Sequence, residues 1–212
     1  MSNQDRLARA IDRLQHQRAT LLAKIDGLQQ AQLDFQPVGQ AWSIGQVAHH
    51  VGLGENVWQG YLKTVLKNAK QTREATLQVS LDEVPFSSRF IPDFLWRNRF
   101  ILTPLTLMVN CMPRPVQSML FAVPLVKMDA GPRMQPKHGL PRTQILQLLD
   151  DTRKVTLDLL QPVADWDLTR VRIVHPLVGD QDAYGILELL ASHEQRHAQQ
   201  IDSIKKKPNF PN

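Results

Sequence analysis

Four separate stretches of this chain carry apolar residues three and four positions apart, and no other feature constrains its fold as strongly. Residues at that spacing line one side of an α-helix, which must then be buried against something. The spacing predicts a helix from Asn3 to about Leu28, with Leu7, Ile11, Leu14, Leu21, Leu22, Ile25 and Leu28 on its stripe. A second begins after Ser43, a good N-cap that Gln46 completes as a capping box, and runs to about Lys67. Its stripe holds Val47, Val51, Trp58, Tyr61, Leu62 and Val65. A third spans about Thr143 to Leu160, with Ile145, Leu148, Leu149, Val155, Leu159 and Leu160 apolar. The fourth spans about Ala183 to Lys205, after two candidate caps, Asp180 and Asp182. Four striped helices cover one another most simply as an all-α four-helix bundle. No strand pattern, internal repeat or Gly-rich phosphate loop is legible.

Between the helices the reading is thinner. Gly27 and the stretch QLDFQPVGQ mark a loop after the first helix. Nine of the fourteen prolines fall from Pro85 to Pro141, so residues 71–140 read as a Pro-rich insertion in one domain of residues 1–212. Short helices are expected around residues 94–110 and 115–126, because a structureless loop of this length is unusual in a compact domain. Its apolar content suits packing on the bundle, a pocket wall or a partner surface, and is compatible with a homodimer. The stretch ADWDLTRVRIVHPLVGDQDA reads as a polar linker.

Cys111 is the single cysteine, so neither an internal disulfide nor a thiolate cluster is available, and any metal must be held by His and carboxylates. The start, MSNQDRLARAIDRLQ, is too polar for a signal peptide, and no apolar run reaches the length of a membrane span. The expected location is the cytoplasm, away from membranes. Lys and Arg exceed Asp and Glu by 25 − 20 = 5, but they are scattered, and Lys205, Lys206 and Lys207 sit where a helix ends. Cations are favoured there by the helix dipole. Nothing concentrates charge as a nucleic-acid binder does, so none is expected as a partner.

The chemistry lies in the histidines. His193 and His197 form HxxxH on the fourth helix, one turn apart on one face, so both rings can reach one ion. Both fall on the apolar stripe, where a polar ring needs a partner. His50 falls on the stripe of the second helix, whereas His49 is turned about 100° away. Three inward histidines on two facing helices can build a metal site in a bundle core. They can equally be buried rings bonded to backbone or to one another. Glu194 makes HEQRH match the HExxH of zinc proteases, but the third ligand would lie upstream on another helix, so a protease does not fit. Glu194 reads as a ligand-supporting residue or a solvated charge, and Arg196 as an exposed cation with the option of binding an anionic substrate. His16, His138 and His175 read as loop or surface residues.

Two stretches carry a family resemblance. WSIGQVAHHV, from Trp42 to Val51, resembles the first signature of the DinB/YfiT-like metalloenzymes of the DinB superfamily, in which a ligand His follows eight residues after the Trp; here it is His50. HPLVGDQDAYGILELLASHEQRHAQQI, from His175 to Ile201, resembles the second, an HP…G turn followed by HExxHxxQI. It supplies His193 and His197. The resemblance covers both ends of the bundle, but no recognised motif covers the insertion.

The resemblance implies a four-helix bundle of the DinB/YfiT type with one divalent ion, zinc or nickel, on His50, His193 and His197. Family members of known activity include bacillithiol- and mycothiol-dependent transferases and isomerases. The expected function is metal-dependent transfer of a low-molecular-weight thiol or hydrolysis of a small-molecule substrate. The alternative is a non-catalytic, stress-related metal-binding or interaction bundle. Three neutral imidazoles leave an open position, where an ion can lower the pKa of bound water to about 7 or hold a thiolate. Zinc is the default for such a set, while nickel and iron also suit imidazole. No catalytic base is legible.

Overall fold

The computed structural model describes residues 2–38, 41–80, 131–176 and 178–211, and three of the four long helices it describes start at a side chain that accepts from one of their first amides. Helix α1, Asn3–Ile25, is opened by Ser2, whose hydroxyl accepts from the Asp5 amide while the Asp5 carboxylate accepts from the Ser2 amide, both at 3.1 Å. It stops short of Leu28 because Gly27, at φ +71°, turns the chain into the left-handed region. The following loop holds a single helical turn, α2, Gln30–Asp34, which buries Leu33. Helix α3, Ile44–Asn68, carries the expected box: the Gln46 amide donates to Ser43 Oγ at 3.2 Å and the Ser43 amide to Gln46 Oε1 at 3.1 Å.

A strand, β1, Ala75–Gln78, opens the region read as an insertion. A 3-10 turn at Pro132–Met134 leads towards helix α4, Arg142–Leu160. The short helices expected around 94–110 and 115–126, together with Cys111, lie outside the described residues. After α4 the chain forms β2, Val171–His175, and β3, Gly179–Asp182. Helix α5, Ala183–Lys205, then starts at Asp182, whose carboxylate accepts from the Gly185 amide at 2.8 Å.

The all-α expectation is therefore corrected. The chain is mostly helical but carries a three-stranded sheet of order β1-β2-β3. β1 runs parallel to β2, pairing Ala75 with Val171 through Gln78 with Val174. β2 and β3 form an antiparallel hairpin, Arg172 opposite Asp182 and His175 opposite Gly179. The stretch read as a polar linker is this hairpin. Val171, Ile173 and His175 are buried on one face of β2, while Arg172 on the other pairs with Asp180 at 2.9 Å.

Helix α1 lies along α5, and α3 packs against both α4 and α5. At the α3–α4 crossing a Cβ on Gly52 would sit 2.7 Å from Leu148 Cδ2, so any larger residue would force the Leu148 side chain to shift. Two apolar clusters result. One joins Leu7, Leu14, Leu62 and Leu160 to Ile173 of the sheet and Leu190. The other joins Leu21, Val47, Val51, Leu149 and Ile201.

Between the clusters lies a buried layer of charge, to which each of the four long helices among the described residues contributes one residue: Arg18, Glu55, Arg153 and Glu194. Arg18 Nη2 meets Glu55 Oε2 at 2.5 Å and Glu194 Oε1 at 2.6 Å. Arg153 Nε meets Glu55 Oε1 at 3.1 Å, and its Nη2 meets Glu194 Oε1 at 2.6 Å. The guanidiniums also donate to carbonyls, Arg153 to Leu14 and Arg18 to Leu149, and Thr156 Oγ1 donates to Glu55 Oε1 at 2.6 Å. Two positive and two negative charges cancel, the condition under which charge can be buried at all. Burial pushes the Glu55 carboxyl up, but Arg153 and Arg18 together hold it below the usual range. For Glu194, burial outweighs the same two cations and the carboxyl is raised.

Candidate metal centre

Local structure places each histidine before tertiary packing joins them. The capping box fixes the start of α3, and His50 follows on its inward face. Asp182 fixes the start of α5, on which His193 and His197 lie one turn apart. Packing of α3 against α5 then brings the rings together. His193 Nε2 stands 3.3 Å from His50 Nε2 and 3.0 Å from His197 Nε2. One nitrogen from each ring lies within 4.8 Å of the other two, a group that could hold a metal ion.

The donor chemistry passes a test of fit. His50 Nδ1 lies 2.9 Å from the Met134 carbonyl, and His197 Nδ1 lies 2.8 Å from Gln200 Oε1. A carbonyl oxygen only accepts, so both Nδ1 atoms carry hydrogen and both Nε2 atoms present lone pairs. His193 Nε2 sits between them with at most one hydrogen to give. At least one short contact is therefore lone pair against lone pair, which a cation relieves. Zinc–nitrogen bonds of about 2.0–2.1 Å at tetrahedral angles would put donor nitrogens about 3.3 Å apart, and His193 Nε2 lies close to that distance from both of the other Nε2 atoms.

Burial keeps these rings neutral, the form that binds metal. Desolvation lowers His50 and takes His193 well below its ordinary value, with the other two rings and Arg196 acting in the same direction on His193. Desolvation brings His197 down to about 3. The Trp42 ring lies 4.8 Å from that of His50, which gives the Trp of the first signature a physical role. Gly54 leaves room for His193: a Cβ there would come within 3.2 Å of His193 Cε1.

The other candidates separate clearly. His49 does not join the group; its Nδ1 accepts from the Lys137 amide at 3.0 Å. His16 and His138 are exposed, as expected, and His138 Nε2 contacts the Asp34 carbonyl at 3.1 Å. Gln46 keeps its capping role. Glu194 is not a solvated charge: it is 2 % exposed and committed to Arg18 and Arg153. Arg196 is half-buried rather than exposed. The Met134 carbonyl had no sequence signal, since any residue offers one. Gln200 did have one, lying three residues after His197 and thus on the same helix face.

His175 was misplaced by the sequence reading. It is buried in β2, with its ring 5.2 Å from that of Trp58 and 6.0 Å from that of Tyr61. Desolvation pushes it from 6.5 down to about 4. The unfolded chain gains a proton there as pH falls through about 6.5, and the folded chain does so only near 4. Stability should therefore fall across that window and level off below it, by about 3 kcal/mol for this group. Urea unfolding of His175→Gln at pH 7 and pH 4.5 is expected to show a shallower acid loss than the parent. An unchanged loss would contradict the assignment.

Among the described residues no helix is long and apolar enough to cross a membrane. No curated protein and no solved structure matches the chain. A family model, that of the DinB superfamily, matches residues 13–201, a span that takes in most of α1, all of α3 and α4, and the three histidines. The capped α3 with Trp42 against His50, and the α5 pair with Gln200 behind His197, are thus features of a chain that belongs to the DinB superfamily.

Proposed function

We propose that this chain is a metal-dependent enzyme that binds one divalent ion, zinc or nickel, through His50, His193 and His197. The observation that carries the reading is the convergence of three neutral ring nitrogens, two of them fixed as lone-pair donors by hydrogen bonds on the far side of the ring. When bound, the ion would supply Lewis acidity, favouring the deprotonated form of a thiol or water in its open position. The protein's own part is positioning. The Met134 carbonyl and Gln200 fix the ring orientations of His50 and His197, and Trp42 packs against His50. Such outer contacts typically alter metal affinity by about 10- to 100-fold.

Transfer of a low-molecular-weight thiol is the reaction favoured, with hydrolysis second. The thiol would come from a cosubstrate, because Cys111 is the only cysteine. This reading takes the four long helices as a four-helix bundle forming one cytoplasmic domain, residues 1–212, with 71–140 as an insertion that could support a homodimer.

Elemental analysis of protein purified without a nickel column tests the metal. About one zinc or nickel per chain is expected. No metal, and no uptake when either is added, would refute the reading and leave a non-catalytic bundle with hydrogen-bonded histidines. Loaded protein would then be screened for conjugation of small thiols to electrophiles and for hydrolysis.

A further inference from the structure

Two adjacent histidines of α3 hold the same short segment of chain. Residues 131–138 pack on α3, with a 3-10 turn at Pro132–Met134 followed by extended backbone at Gln135. His50 Nδ1 donates to the Met134 carbonyl at 2.9 Å, and three residues on the Lys137 amide donates to His49 Nδ1 at 3.0 Å. The two rings leave the helix about 100° apart, so the segment is fastened at two points round it. Beyond them His138 Nε2 contacts the Asp34 carbonyl at 3.1 Å. The Met134 side chain also reaches towards α5: a Cβ on Gly54 would lie 3.9 Å from Met134 Sδ and 3.2 Å from His193 Cε1. Pro132, Arg133, Gln135, Lys137 and His138 are exposed. Little apolar burial therefore holds the segment down, and its hydrogen bonds to α3 weigh heavily.

The bond from His50 couples this segment to the three histidines. A neutral imidazole carries one hydrogen, and with Nε2 on an ion that hydrogen is on Nδ1, where it needs an acceptor. The Met134 carbonyl is that acceptor. Without it the ring can carry its hydrogen on either nitrogen, and only one of the two forms offers Nε2 to an ion. We propose that residues 131–138 form a strap whose closure on α3 is coupled to metal binding, with His49 as its positioning residue. His49 holds the Lys137 amide and so keeps the Met134 carbonyl against His50, and it tunes the centre without being a ligand. This rests on the reading of the three histidines as a metal centre. The coupling is reciprocal: the factor by which the closed strap tightens metal binding is the factor by which metal favours closure.

The test uses the full chain, with zinc alone as the probe and two readouts. Hydrogen exchange at the Lys137 amide is followed by fragmentation mass spectrometry with and without zinc. Zinc should slow it about tenfold, within the usual range of coupling between sites. The slowing should exceed that at the Val79 amide, which donates to the Val174 carbonyl in the sheet and reports general stabilisation. Zinc affinity is then measured by chelator competition. His49→Phe keeps a ring but loses the acceptor, and should bind zinc about tenfold more weakly, the lower end of the range for outer contacts. In His49→Asn the side-chain oxygen can accept in place of Nδ1, so its affinity should stay close to the parent's. An exchange rate at Lys137 that zinc slows no more than at Val79 would overturn the proposal while leaving the metal centre standing. So would parental affinity in His49→Phe, or equal weakening in both variants. Failure of the parent to take up zinc would overturn both readings. The exchange comparison lies within the parent and needs no variant to fold.

Discussion

Replacing His193 with alanine is expected to weaken metal binding by more than about 100-fold, beyond the effect typical of losing an outer contact. His193 is chosen because its Nε2 is the shared neighbour, 3.3 Å from that of His50 and 3.0 Å from that of His197. Without it the remaining two nitrogens, on different helices, make only half of a tetrahedral set. The measurement is competition against a chromophoric chelator, with far-UV circular dichroism as the control on folding. The variant should stay helical, because His193 is not part of either apolar cluster. An affinity within a factor of two of the parent would mean that these nitrogens are not the ligands and that the histidines serve packing.

The second large effect should come from Arg153→Met. Removing this guanidinium leaves Glu55 and Glu194 sharing Arg18 alone, in a layer where all four side chains are almost wholly buried. An uncompensated buried charge typically costs about 3–5 kcal/mol, and urea unfolding at pH 7 should show a loss of that size. Combining Arg153→Met with Glu194→Gln restores neutrality and should recover part of the loss, although the apolar substitution still leaves the Leu14 carbonyl without its donor. A loss below about 1 kcal/mol would show that water reaches the layer and screens it. The layer matters to the site because Glu194 is the residue after His193 and Glu55 lies on the helix of His50. Each is tied to arginines on α1 and α4, so the ion pairs bind the ligand-bearing helices to the other two.

What the sequence by itself determined was local. Ser43 with Gln46, and Asp182, mark the starts of α3 and α5 because a capping bond closes within three residues. The facing of His193 and His197 follows from a four-residue step along one helix. The hairpin was legible in principle, since Val171, Ile173 and His175 alternate with Arg172 and Val174. Five residues, ended by Pro176, gave too short a period to stand out, and β1 pairs with β2 only after the chain has passed through α4. The tertiary structure alone decided the rest. Arg18, Glu55, Arg153 and Glu194 each follow a buried stripe residue by four positions (Leu14, Val51, Leu149 and Leu190), so each one's inward facing was legible in its own helix, but only packing decided which of them meet. His50 and His193 are 143 residues apart in the chain. Their contact exists because α3 and α5 bury their apolar stripes together, and that burial depends on every helix at once rather than on any segment alone.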